Sequence, residues 1–343
     1  MERPHLAGVV EDRWNRLLGG ALRSRGWRHL VVPYPGYAGV DAVRVLARVV
    51  LAPQPDEELT RGEQRSDEEG YRRGWRNFVT AEAVDVEVTV TIDGVRHITR
   101  TDRAGNVDVR LPNPGLEPGW REVVIEAEQS EPTVGRVFVV AADEEFGLVS
   151  DIDDTVIRTL LPRPLLAAYN TFLVQEQTRR PVAGMASLYE SLLRPHPGAP
   201  TVYVSTGAWN TAGTLTRFLT RHGYPAGPLL LTDWGPTNTG WFRSGREHKR
   251  ACLEALAADF PQIRWVLVGD DGQHDPAIYA DFARDHPDRV RAIAIRELTA
   301  AQQVLAHGTP VERAAEATEP PAEVPSVRGP DGDALAALLR PHL

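Results

Sequence analysis

Cysteine and lysine each occur once in the 343 residues, as Cys252 and Lys249. A single thiol excludes an intramolecular disulfide and fits a reducing compartment. No apolar run reaches the roughly 20 residues that a membrane-spanning helix needs. The opening residues include Glu2, Glu11 and Asp12 and lack the apolar core of a secretory signal. These absences predict a cytoplasmic protein. The net charge of −9 argues against nucleic acid as a partner. It leaves an anionic substrate open, because the local field at a site decides that. Lysine is the more telling scarcity, since every other one of the 38 Lys and Arg positions is arginine. A compact ammonium is not interchangeable with a planar guanidinium. Where one lysine persists in such a composition, its chemistry is needed.

What is there changes period along the chain. Residues 1–27 predict an amphipathic helix, with Val9, Val10, Trp14, Leu17, Leu18, Ala21 and Leu22 on one side. Its polar face mixes signs, which favours packing over shallow membrane contact. From 28 to 144 the period is two. Val43, Val45, Ala47, Val49 and Leu51 alternate, as do Val84, Val86, Val88, Val90 and Ile92, with Asp93-Gly94 as a hairpin turn. Val107, Val109 and Leu111, then segments around 122–127 and 134–141, complete six or seven short strands. They predict an all-β sandwich, interrupted by a charged exposed insertion from Asp56 to Arg76. No catalytic constellation lies in this half.

From 145 to 307 strands alternate with helices. Strands are expected at 146–150, 202–204, 229–231, 265–268 and 292–295, and helices at about 183–194, 209–222, 247–258 and 276–285. The pattern predicts an α/β domain, a doubly wound and mainly parallel sheet. Residues 308–343 are rich in Pro, Ala and Glu and predict a flexible tail, ending in a short helix from Asp333 to Leu339. No Gly-x-Gly-x-x-Gly follows the first α/β strand, which disfavours dinucleotide binding.

Ligands of open α/β sheets bind outside the carboxyl ends of the strands. After Phe146-Gly147-Leu148-Val149 comes Ser150-Asp151-Ile152-Asp153-Asp154-Thr155. Such a density of buried carboxylates is costly without a compensating cation. Mg²⁺, which favours carboxylates, water and phosphate oxygens, is the cation expected. The second strand is followed by Ser205-Thr206-Gly207, and the fourth by Gly269-Asp270-Asp271-Gly272-Gln273-His274-Asp275. Lys249 lies near the start of the helix that feeds the fourth strand. Plainer roles stand beside these. Ser205 could cap a helix, Lys249 could be solvated, and Asp275 before Pro276 suits an N-cap. His248 and His274 are expected beside the site or on the surface, and Cys252 in the core. Arg158, Arg243 and Arg246 are either solvated or drawn to an anionic head group.

These segments together resemble the four motifs of the haloacid dehalogenase (HAD) superfamily of phosphohydrolases. Asp151, Asp153 and Thr155 match the first, Ser205 the second, Lys249 the third, and the acidic cluster from Asp270 to Asp275 the fourth. More narrowly, Arg180–Met185 through Tyr189, Val202–Gly207 and Gly269–Pro276 are similar to the catalytic domain of fungal actin-patch-associated phosphatidate phosphatases and their bacterial relatives. The resemblance covers about 145–300 and implies Mg²⁺-dependent hydrolysis of a phosphomonoester, phosphatidate, through an aspartyl-phosphate on Asp151. Asp153 would be acid and base, its backbone carbonyl a metal ligand with Asp151 and Asp270. Asp271 stands where the family favours a small hydroxyl residue, so Asp271 and Asp275 both remain candidates for the last ligand. Ser205, Lys249, Thr155, Thr206 and Gly207 would hold the phosphoryl group. Thr232–His248 leaves room only for a loop, whose Trp234, Trp241 and Phe242 would meet an acyl interface or plug the sheet. The competing readings are the same chemistry on a soluble phosphomonoester or phosphoprotein, and a non-catalytic binding protein working through its β half.

Overall fold

The computed structural model describes residues 22, 24, 26–53, 81–158, 180–232, 245–272, 274–300, 302–303 and 319–342. The helix expected over 1–27 and the insertion at 56–76 lie outside the described residues, apart from the first helix's last few positions. The chain divides into two compact units, Met1–Val139 with Gly235–Phe242, and Val140–Trp234 with Arg243–Leu343.

The first unit holds eight strands: β1 (Trp27–Ala38), β2 (Ala42–Pro53), β3 (Ala81–Glu82), β4 (Glu87–Ile92), β5 (Val95–Arg100), β6 (Asn106–Pro112), β7 (Gly119–Ala127) and β8 (Thr133–Val139). Their inward positions form one buried cluster, including Val43, Val45 and Val49 of β2, Val88 and Val90 of β4, and Val123 and Ile125 of β7. The expected sandwich is realised as one hydrogen-bonded sheet curled over that core, in the order β3-β2-β1-β8-β7-β4-β5, with β6 also on β2. The two halves are joined through β1, antiparallel to β2 along most of its length and parallel to β8 at Gly36–Ala38. Only glycine fits at 36, since a Cβ there would lie 2.2 Å from the Arg44 carbonyl oxygen. The alternation from Val84 overstated β4. Asp85 has φ of 56°, so residues 84–86 form a turn and the strand begins at Glu87. Asp93 and Gly94 do form the hairpin turn, with φ of 47° and 77°, and the partner strand is β5.

The second unit is built on β9 (Phe146–Ser150), β12 (Thr201–Ala208), β13 (Leu229–Thr232), β14 (Arg264–Asp270), β15 (Val290–Arg296) and β16 (Ser326–Gly329). A short antiparallel pair, β10 (Ile157–Arg158) and β11 (Arg180–Pro181), stands apart from that sheet. The six strands run in the order β13-β12-β9-β14-β15-β16, every neighbouring pair parallel. Their apolar runs are buried along their length, as expected for strands covered on both faces. Connecting helices are α1 (Met185–Leu193), α2 (Ala212–Arg221), α3 (Gly245–Asp259) and α4 (Asp275–Asp285). Starting at β9 the chain builds outward to β13, then returns to β14 on the other side. The order therefore reverses between β9 and β14, where open sheets of this kind bind ligands.

Of the tail expected over 308–343, the short terminal helix is present, but the described residues before it are not a loose linker: Ser326–Gly329 form a strand. β16 extends the sheet beside β15, and α5 (Gly332–Leu339) packs on α1. Asp331 caps α5, its Oδ1 accepting from the Ala334 amide at 3.0 Å. Four residues, Ser326-Val327-Arg328-Gly329, are too few to show a period of their own, and only pairing with β15 makes them a strand. Truncating the fully buried Leu335 to alanine should cost about 2–5 kcal/mol. The same change at Leu338, 45% exposed on the same helix, should cost under ~0.5 kcal/mol. Urea unfolding of the two variants checks this, and equal losses would contradict the packing.

Candidate active site

Where β9 ends, the Asp151 amide still donates to the Val268 carbonyl of β14 at 2.9 Å, which holds Asp151 in the sheet at the reversal point. The chain then turns sharply. Asp154 takes a left-handed conformation, φ 60°, and its amide donates to the Ile157 carbonyl at 2.7 Å. The amides of Val156 and Ile157 both donate to the Ile152 carbonyl. Asp151, Asp153 and Thr155 are thereby gathered in one tight loop.

Lys249, about one turn into α3, is buried rather than solvated. Its Nζ donates to Asp151 Oδ1 at 2.7 Å and to Asp275 Oδ1 at 2.5 Å. Thr155 Oγ1 donates to Asp151 Oδ2 at 3.1 Å and reaches Asp270 Oδ2 at 3.5 Å. The Gly272 amide fixes Asp270 Oδ1 at 2.7 Å. Asp151, Asp270 and Asp275 are all buried and each offers an oxygen within 4.8 Å of the others. Beside them Ser205 Oγ donates to Asp153 Oδ2 at 3.2 Å while accepting from the Gly207 amide at 3.0 Å. Ser205 thus faces the acidic loop instead of capping α2. The Thr206 and Gly207 carbonyls accept from Thr232 Oγ1, fixing that strand end against β13.

Two alternatives left open by the sequence differ in this geometry. Of the two candidates for the last ligand, Asp271 stands apart from the trio: its Oδ1 accepts from the Leu298 amide at 2.7 Å, a backbone-fixing bond. Asp275 is not the N-cap of α4, a place taken by His274; it lies in the first turn and turns to Lys249. His274 is exposed, and His248 Nε2 lies 3.2 Å from the Leu230 carbonyl oxygen with Cys252 beside it in the interior. Arg158 is exposed, and Arg246 pairs with Asp281 at the surface. Arg243, Trp234, Trp241 and Phe242 lie outside the described residues. Sequence reasoning missed Gly269, where a Cβ would come 2.6 Å from Asp275 Oδ2, so glycine is what lets that carboxylate approach. It also missed Ser150, whose Oγ donates to the Asp151 carbonyl at 2.6 Å and meets the Tyr189 hydroxyl. A glycine directly before an acidic pair at a strand end was the one available signal.

Burial pushes the Asp151 carboxyl up to about 7; Lys249 opposes the rise, while Asp275 and Asp153 add to it. Burial, then Asp275 and Asp151, raise Asp270 well above its usual range. Burial alone would pull the Lys249 ammonium down, but Asp151, Asp275 and Asp270 outweigh that and raise it. Carboxylates outnumber the one ammonium among them, and Asp275 Oδ2 is buried with no hydrogen-bond partner. An orphaned anionic oxygen on one of three clustered carboxylates fits a hard divalent cation. The linkage has a definite sign. An acid whose folded value lies above its unfolded one resists ionisation in the fold, so stability without a cation falls as pH rises from about 4 to about 7. A divalent cation such as Mg²⁺ would bind the ionised form and should reverse this. At one hundred times its dissociation constant it should add about 2.7 kcal/mol at pH 7.5, and far less at pH 5. Thermal unfolding with Mg²⁺ and with EDTA checks it. Asp275→Asn should abolish most of the shift, and Asp271→Asn should keep it.

Residues 146–297 match the family model described as the phosphatidate phosphatase APP1 catalytic domain. The chain is 28% identical to phosphatidate phosphatase APP1 of Saccharomyces cerevisiae over 153 residues, 44% of this chain and 25% of that protein. It is 26% identical to an uncharacterized protein of Schizosaccharomyces pombe over 186 residues, 53% of this chain and 29% of that one. The chain thus spans under a third of the length of these curated relatives. Among solved structures, the HAD domain of the effector protein Lem4 from Legionella pneumophila aligns with 46% of this chain and 88% of its own, at 14% identity and a TM-score of 0.31.

Proposed function

On the premise that residues 146–297 are a HAD-like catalytic domain of the phosphatidate phosphatase APP1 type, we propose that this chain is a Mg²⁺-dependent phosphatidate phosphatase. The observation that carries the reading is the buried meeting of Asp151, Lys249, Asp270 and Asp275, with Asp153 and Ser205 alongside, at the strand-order reversal. In this reading the six-stranded sheet is the doubly wound scaffold of the family. The first unit is a separate β domain, and the catalytic unit continues through α5.

Asp151 attacks phosphorus, forming an acyl phosphate as the bond to the glycerol oxygen breaks. Lys249 favours the ionised Asp151 carboxylate, opposing without cancelling the effect of burial, and its ammonium offsets the charge gathering on the phosphoryl oxygens. Asp153, as general acid, would give a proton to the departing alkoxide. It then takes one from the water that attacks phosphorus, releasing phosphate and restoring Asp151. Its neighbour Ser205 is oriented by the Gly207 amide, and the hydroxyl hydrogen that it gives to Asp153 Oδ2 would turn to a phosphoryl oxygen when substrate binds. Thr155 holds Asp151 Oδ2 on the opposite side from Lys249, so the nucleophile is fixed at both oxygens. Asp151, Asp270 and Asp275, with the Asp153 carbonyl, would hold Mg²⁺, which supplies charge neutralisation between the anionic nucleophile and the phosphoryl group.

Phosphatidate is held in a bilayer, so the proposal includes peripheral contact with a membrane surface from the cytoplasmic side. No helix among the described residues is long and apolar enough to cross a membrane. Phosphate release from phosphatidate vesicles, from glycerol phosphate and from a phosphopeptide, with Mg²⁺ or EDTA, tests the reading. Vesicles should be the best substrate and EDTA should stop turnover. Activity confined to the soluble substrates would replace phosphatidate with a soluble phosphomonoester or phosphoprotein. Asp151→Asn should lower kcat by a factor on the order of 10⁴ or more. Asp153→Asn should lower it by about 10²–10⁴, both with an unchanged circular dichroism spectrum. A fully active Asp151→Asn enzyme would remove the assigned nucleophile.

A further inference from the structure

Arg296 ends β15 in a place that the chemistry above does not use. It is 2% exposed and lies in register between Asp270 of β14 and Gly329 of β16. Three neutral oxygens accept from its guanidinium. Nη1 donates to the Asp154 carbonyl, Nε to the Pro330 carbonyl at 3.2 Å, and Nη2 to Gln302 Oε1 at 3.2 Å. Burying a cation is expensive, and an apolar side chain of similar volume would usually be cheaper for stability alone. What the fork achieves here is reach. From β15 it passes over the end of β14 to the loop that follows β9, and on its other side it holds the turn between β16 and α5.

The acceptor it reaches in the loop is the strained one. Asp154 carries the positive φ, and its amide is already tied to the Ile157 carbonyl. The Arg296 bond fixes the carbonyl of the same residue, so both sides of the turn after Asp153 are held. A second strap runs parallel to it. The Gly332 amide of α5 donates to the Ala183 carbonyl at 2.9 Å, and the Val182 amide donates to the Val156 carbonyl at 3.0 Å. Gly184 and Gly332 make this approach possible, since a Cβ on Gly332 would lie 2.2 Å from the Gly184 carbonyl carbon. The segment 326–339 therefore holds the acidic loop at two points, although it lies outside the stretch that matches the catalytic-domain family.

We propose that Arg296 is a positioning residue, which ties the β16–α5 turn to the Asp154 carbonyl and so sets where Asp153 stands relative to Asp151. The activity arm of the test rests on the phosphatase reading; the structural arm does not. In Arg296→Met, amide hydrogen exchange at Asp154, Val156 and Ile157 should quicken at least ~10-fold, with exchange in β12 unchanged. In the same variant kcat on phosphatidate vesicles should fall about 10–100-fold with KM within about 3-fold, the mark of misplaced groups rather than lost binding. Arg296→Lys keeps the charge but not the fork and should fall between wild type and Met in both readings. Should the Met variant not fold, the Lys variant alone decides. Loop exchange unchanged from wild type, or exchange accelerated equally in β12 and the loop, would overturn the proposal. If the wild-type chain releases no phosphate from any substrate, the phosphatase reading falls while the exchange measurement still decides the role of Arg296.

Discussion

One ammonium shared by two buried carboxylates governs the second unit. Lys249 lies within hydrogen-bond distance of Asp151 and Asp275, with Asp270 close enough to add to its charge preference. Removing so many charged groups from water is affordable only where each finds a partner, and the rim of the sheet is arranged to supply them. Thr155, the Gly272 amide and Ser205 each occupy one oxygen of a different aspartate. One oxygen, Asp275 Oδ2, has no partner among the described groups. The unbalanced negative charge and the orphaned oxygen are one feature seen twice, and both fit the divalent cation of the proposed function.

The site was legible in the sequence because each of its parts follows directly on an apolar strand. In a parallel sheet the carboxyl ends of all strands lie along one rim, so motifs far apart in the chain needed no further argument to converge. Lys249 was legible for another reason, its survival in an arginine-rich chain. The choice between Asp271 and Asp275 was not legible. Both lie within a few residues of Asp270, and the choice depends on the Leu298 amide and on Lys249, which reach the loop from other elements. Arg296 was equally hidden, one arginine among many, distinguished only by where its guanidinium ends.

In the fold, long alternating strands and the strand–helix alternation could be read directly. Elements whose identity comes from a neighbour could not. β16 is four residues that pair with β15, and β1 joins two halves of one sheet, a role invisible in its own residues. The difference between a sandwich of two sheets and one curled sheet rests on three residue pairs, Gly36 to Ala38 against β8.

The strand that leads into Asp151 is the first described strand of its unit to be made and sits in the middle of the sheet. Its two neighbours, β12 and β14, come from residues 201–208 and 264–270. Such pairings close long loops before they yield any contact, and topologies dominated by them fold slowly. Until β14 is synthesised, β9, whose residues are all buried in the finished fold, has one unsatisfied edge, the kind of surface that chaperones cover and that aggregates when they do not. The central position that shelters Asp151 in the finished protein is thus completed only after more than a hundred further residues of the chain have been made.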